Sequence, residues 1–144
     1  MSYWDTSALV KLYLMEPDSA RFEALALVSP VVIGMIARHE LRTVFRRREA
    51  EAAIPAREAS ALYYQRLTSD TASGLLRLQP DSETMEREFG KVLETCFSQT
   101  PPVFIRTNDA LHLAAARVAG ETEFVTADMR QRAAAELLGF KLLP

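Results

Sequence analysis

The chain has 144 residues, of which 49% are hydrophobic and 25% charged, and its formal net charge is −2. That balance is globular and excludes a disordered chain, and no apolar run approaches the roughly 20 residues of a membrane-spanning helix. One cysteine, Cys96, excludes an internal disulfide, and with His39 and His112 as the two histidines a zinc centre of the usual ligand types is excluded unless carboxylates take part.

The first segment, SYWD (2–5), reads as a short buried strand. ALVKLYL follows as a helix with Thr6 or Ser7 as its N-cap. Pro17, Asp18 and Ser19 start a second helix over 18–28. PVVIG (30–34) is β-branched and bounded by Pro30 and Gly34, the pattern of a buried strand. A long helix from Met35 to Ala53 comes next, and Pro55 stands where the first residue of another helix (55–71) would. Together these predict a helical hairpin. GLLRLQP (74–80) reads as a strand. SETMEREFGKVLETCFSQ (82–99) is an amphipathic helix carrying Met85, Phe89, Val92, Leu93, Cys96 and Phe97 at helical spacing, with Cys96 as a small core residue. A helix from Thr107, the strand and turn EFVTAD (123–128), a helix closed by Gly139 and a last strand FKLL (140–143) complete the chain. Strands alternating with helices predict an α/β fold with a mainly parallel sheet covered on both faces. No linker or repeat divides residues 1–144, so one domain is expected. The N-terminus has no basic segment followed by an apolar one, so a signal peptide is not expected and a cytoplasmic setting is.

Four acids fall where chemistry is expected in such a fold. Ligand sites in open α/β sheets lie at the carboxyl ends of the strands. Asp5 ends the first strand, and Asp128 follows the EFV strand closely. Glu40 sits four residues from Ile36 and from Val44, at the border of the apolar stripe of its helix. Asp109 opens the apolar helix TNDALHLAAA and shares a face with Leu113 and Ala116. Any one of these is explained by capping, by the helix dipole or by a turn. Four together repel one another unless a cation intervenes. Oxygen donors without histidine or cysteine suit Mg²⁺ or Mn²⁺, and such a site binds phosphate oxygens and activates water. The chain has no GxxxxGK[ST] loop and no GxSxG elbow.

The stretches DTSALVKLYLMEPDS, HE (39–40), TNDALHLAAA and FVTAD resemble the PIN-domain ribonucleases, and among them the VapC-type toxins of type II toxin–antitoxin pairs. The four motifs span residues 5–128. The resemblance implies a PIN-like three-layer α/β/α sandwich with Asp5, Glu40, Asp109 and Asp128 as the acid quartet. Asp5 and Asp109 would be the main metal ligands, Glu40 would complete the site and orient the nucleophile, and Asp128 would lie in the outer shell or hold a second metal. Thr6 and Thr126 would support them. It further implies Mg²⁺- or Mn²⁺-dependent RNA cleavage leaving 5′-phosphate and 3′-hydroxyl ends, a homodimer and a cognate antitoxin. The alternative is a catalytically silent PIN-like scaffold that binds RNA or protein. A haloacid-dehalogenase-type phosphotransferase would want a second aspartate where Ser7 stands. Asn108 departs from the residue types usual before the third acid and is read as a cap of its helix.

Arg42 and the run Arg46–Arg48 are either a solvated helix face or an RNA phosphate track. Arg42 and Arg46 share a face. Arg106, Arg130 and Arg132 stand near the acids and are further candidates for RNA contact. His112 is read as a packed or hydrogen-bonded structural histidine, because an all-carboxylate site needs no imidazole. Tyr63 and Tyr64 would stack on bases or pack against a dimer or antitoxin partner. Lys11 is read as a surface lysine lying along apolar neighbours.

Overall fold

A computed structural model describes residues 1–54 and 59–144. Among the described residues five strands form one sheet: β1 (Ser2–Trp4), β2 (Val31–Gly34), β3 (Leu76–Gln79), β4 (Glu123–Val125) and β5 (Lys141–Leu143). Their order is β3-β2-β1-β4-β5, and every neighbouring pair is parallel. Parallel neighbours need long crossovers, usually helical. Here the crossovers carry α1 (Thr6–Leu9), α2 (Ser19–Val28), α3 (Met35–Ala50), α4 (Ala59–Ala72), α5 (Glu83–Phe97), α6 (Thr107–Val118) and α7 (Met129–Leu137). The expected start of the fourth helix at Pro55 lies outside the described residues.

Strand alternation divides the core in two. Tyr3, Val32 and Phe124 face one way, against Val92 and Cys96 of α5 and Leu113 of α6. Trp4, Ile33 and Val125 face the other way, against Leu9, Phe22 and Leu41 from α1, α2 and α3. The period of two within each strand thus builds an α/β/α sandwich around the parallel sheet, as the segment pattern predicts. Among the described residues no helix is long and apolar enough to cross a membrane.

Several boundaries differ from expectation for identifiable reasons. The first helix begins earlier, at Thr6, and turns into a tighter 3₁₀ segment over Val10–Leu12. Its N-cap is Asp5, not Thr6 or Ser7, because the Asp5 carboxylate accepts the Ala8 N–H at 2.9 Å. Helix α3 stops at Ala50, three residues early. Ala52 takes φ +52°, and the Ala53 N–H closes back on the Arg48 carbonyl at 2.8 Å, a left-handed cap made without glycine. At α7 the cap is the expected one: Gly139 has φ +84°, and the Phe140 N–H reaches the Ala135 carbonyl at 3.0 Å.

Lys11 is not a surface lysine. It is buried beneath Phe22, with its ammonium on Glu16 at 2.7 Å and Asp18 at 2.6 Å. A buried ammonium needs such partners, and EPD (16–18) supplies them at the turn into α2.

Candidate functional site

Asp5 is placed by backbone. Its N–H donates to the Val125 carbonyl at 3.1 Å, which ties the end of β1 to the end of β4. Its side chain is buried and accepts from Thr126 Oγ1 at 2.6 Å, from Ser7 Oγ at 2.8 and 2.9 Å, and from the Ala8 N–H. Burial pushes the Asp5 carboxyl above its ordinary range, against these hydrogen bonds, which pull it down. Thr126 also accepts the Asp128 N–H at 3.0 Å, and Ser7 accepts the Ala127 N–H at 2.9 Å. The turn after β4 is therefore locked to the start of α1.

Glu40 lies in the second turn of α3. Its Oε1 accepts from Asn108 Nδ2 at 2.7 Å, and its Oε2 accepts from His112 Nε2 at 2.8 Å and from the Thr6 hydroxyl. Burial raises its pKa, but the bonds from His112, Thr6 and Asn108 outweigh that and hold it at about 2. His112 is itself buried, with Nδ1 3.0 Å from the Tyr3 hydroxyl. That hydroxyl accepts the Gly34 N–H at 3.1 Å. Burial pushes the Tyr3 phenol well above its ordinary value, so it keeps its proton and stays a neutral hydrogen-bond partner of the imidazole. His112 is packed and hydrogen-bonded, and its bond to Glu40 holds an acid of the cleft.

Asp109 sits in the first turn of α6, and Asp128 caps α7 by accepting the Arg130 N–H at 2.9 Å. Arg106 spans the two. Its Nε donates to Asp109 Oδ2 at 2.8 Å, and its Nη2 lies 3.3 Å from Asp109 Oδ1 and 3.0 Å from Asp128 Oδ2. An arginine fork suits such two-acid bridging.

All four acids line one open cleft of about 610 Å³. Ile36 and Val44, one turn either side of Glu40, line it too. His39, Thr43 and Arg47, one helical face of α3, line it from the same side. The donor chemistry of the quartet fits a hard divalent cation. Among the described residues, however, no three His, Cys, Asp or Glu side chains are grouped closely enough to hold a metal ion as they stand. Two of the acids have Arg106 as their cation.

The other expected residues divide. Thr6 and Thr126 bond the acids Glu40 and Asp5. Asn108 does not cap its helix: Arg106 is the N-cap, and the Asn108 amide goes to Glu40. Arg42 stacks on Tyr64 with its guanidinium 4.8 Å from the ring centre, and Arg46 pairs with Glu49 at 2.6 Å and reaches Ser60 at 3.3 Å. These two do share a face, but it borders a separate hollow beside α4. Of that basic run it is Arg47 that lines the acid cleft, seven residues after Glu40, a helical spacing from which it was readable. Arg130 is exposed beside Asp128. Arg132 is spent on the carbonyls of Thr126 and Pro144, both at 3.2 Å, and so is tied to its own chain. Tyr63 is half-buried and stacks on the buried Phe45 with ring centres 5.3 Å apart. The sequence reading did not single out Tyr3, because a tyrosine in a buried strand looks like packing until its hydroxyl partner is known.

The comparisons agree with this architecture. The sequence model of the PIN domain matches residues 2–137. FitAcB from Neisseria gonorrhoeae superposes with a TM-score of 0.75 at 17% identity, covering 100% of this chain and 97% of that one. VapC20 of Mycobacterium tuberculosis, described as a toxin that cleaves the sarcin–ricin loop, gives 0.69 at 18% identity over 93% and 95%. VapBC2 from Rickettsia felis, solved on a DNA fragment from its promoter, gives 0.69 at 20% identity over the whole of both chains. No curated protein sequence matches the chain significantly. At these identities the solved structures speak for the fold, and the family rests on the match over 2–137: the chain belongs to the PIN domain family.

Proposed function

We propose that the chain is a divalent-cation-dependent endoribonuclease, the toxin of a type II toxin–antitoxin pair, hydrolysing RNA phosphodiester bonds with an activated water. One observation carries the reading: Asp5, Glu40, Asp109 and Asp128 line a single cleft at the carboxyl edge of a parallel sheet. Asp5 and Asp109 are assigned as the main ligands, with Glu40 completing the site and Asp128 in the outer shell or at a second metal. Mg²⁺ or Mn²⁺, when bound, supplies Lewis-acid polarisation of the phosphate and of the attacking water.

The chain's own residues supply the rest. Glu40 stays ionised at neutral pH, and bonds to both its oxygens fix its orientation toward the cleft, suiting it to align a water. Thr126 and Ser7 fix Asp5 in the same way. Arg47 on the rim offers a guanidinium to a backbone phosphate. Family membership supports a nuclease, and the sarcin–ricin-loop description of the M. tuberculosis relative supports RNA as its substrate. The neighbours solved as toxin–antitoxin complexes support an antitoxin partner. A homodimer, a single domain over 1–144 and a cytoplasmic setting belong to the same proposal.

The test is RNA cleavage with Mg²⁺ or Mn²⁺ against EDTA, with the product ends typed by phosphate-dependent ligation. The reading expects 5′-phosphate ends, formed only with metal. Cleavage that persists in EDTA, or in Asp5→Asn, contradicts it. The alternative of a silent scaffold draws on a different observation, that Arg106 takes oxygens of both Asp109 and Asp128. A scaffold would bind RNA without cutting it.

A further inference from the structure

We propose that Arg106 is the resident counter-cation of the Asp109–Asp128 pair, and that a divalent cation gains the oxygens of these acids only by displacing it. The inference rests on the reading of the cleft as a cation-dependent nuclease site. It concerns what this chain adds to such a site.

Three contacts define the bridge, two to Asp109 and one to Asp128. Two carboxylates facing one cleft disfavour each other's ionised form unless positive charge stands between them. Arg106 supplies that charge from within the chain, at the N-cap of α6, three residues before Asp109. The exposures are unequal in an informative way. The Asp109 and Asp128 side chains are 12% and 24% exposed, whereas Arg106 is 60% exposed. The acids are held in place while the guanidinium is open to solvent and free to leave.

A solvent-exposed ion pair is weak and screened by salt. A divalent ion at the same oxygens carries twice the charge and so out-competes the arginine, at a cost to its own apparent affinity. A hollow of about 180 Å³, lined by Phe104, Ile105, Arg106, Asp109 and Arg130, opens to solvent beside the bridge.

Calorimetric titration with Mn²⁺, paired with thermal melts in EDTA and in Mn²⁺, tests this on wild type, Arg106→Gln, Arg106→Lys and Asp109→Asn. Arg106→Gln is expected to bind Mn²⁺ about five-fold more tightly than wild type at low ionic strength, the scale of one exposed ion pair. Arg106→Lys, which keeps the charge but not the fork, falls between. The Mn²⁺-induced rise in Tm is expected to be larger in Arg106→Gln than in wild type, and Asp109→Asn should lose most of the binding. Equal or weaker Mn²⁺ binding by Arg106→Gln overturns the role of Arg106 and leaves the nuclease reading standing. Absence of Mn²⁺ binding by both wild type and Arg106→Gln overturns the two together.

Discussion

The Tyr3 hydroxyl lies 3.0 Å from Nδ1 of His112, and through that bond the middle of the sheet reaches the acid cleft. Tyr3 accepts the Gly34 N–H on one side and hydrogen-bonds the imidazole Nδ1 on the other, and the imidazole Nε2 holds Glu40. Tyr3→Phe keeps the packing against Phe124 but leaves the Gly34 N–H and His112 Nδ1 without this partner. Two buried groups losing a bond cost about 1–3 kcal/mol, read by urea denaturation. RNA cleavage should fall as well, because the Glu40 orientation loosens. Full stability and full cleavage in this variant would show that the chain of bonds carries nothing.

Gly34 is required by space, not by its backbone angles. A Cβ there would stand 2.6 Å from the Tyr3 hydroxyl oxygen and 3.1 Å from the Ala115 Cβ. Gly34→Ala must therefore push the Tyr3 hydroxyl off His112 or part β2 from α6. The expected loss is about 1–3 kcal/mol, the usual scale for overpacking. Combined with Tyr3→Phe, which removes the clashing oxygen, the loss should be less than the sum of the two. Strict additivity in that double-mutant cycle would contradict the contact.

Two acids of the cleft should respond oppositely to pH in EDTA. Glu40 is held at about 2, below its ordinary 4.5, so its ionised form stabilises the fold above 4.5, and that contribution is lost as pH falls toward 2. Glu40→Gln should then be less stable than wild type at pH 7 by on the order of 2 kcal/mol, with the gap closing through that window. Asp5 is raised above its ordinary 3.8, so its ionisation opposes folding, and stability is lost as pH rises from 3.8 through the raised value. Asp5→Asn should be at least as stable as wild type at pH 7 and lose that advantage in acid. Denaturant midpoints across pH decide it. Differences of the same sign for the two variants would contradict the assignment.

The acids were legible in the sequence, and much of what holds them was not. Asp5 and Asp128 stand at strand ends and Asp109 heads an apolar helix, all visible from hydrophobic period and position. The partners of Glu40 come from residues 6, 108 and 112, brought together by tertiary contact that no local pattern encodes. The same holds for Lys11: lysine in an amphipathic segment suggests a solvated head, and only the fold back of Glu16 and Asp18 shows it buried. Helix α3 ran past its true end on paper because Ala52 does what glycine usually does.

The arginines of α3 should separate by geometry. Arg47 lines the acid cleft, whereas Arg46 is engaged with Glu49 and Ser60. Arg47→Ala should weaken single-stranded RNA binding and reduce the slope of log affinity against log salt by about 0.7, the value of one phosphate contact. Arg46→Ala should leave the slope unchanged. Filter binding across a salt series reads both. The reverse order would move the RNA track to the hollow beside α4.

The most direct test of the account is cleavage of a total cellular RNA pool with Mg²⁺ or Mn²⁺, by wild type and by Asp109→Asn, with new 5′ ends mapped by sequencing. A pool requires no guess at the target. The account predicts discrete new ends with wild type and metal, absent from Asp109→Asn and from EDTA controls. Identical end maps from wild type and Asp109→Asn would contradict it.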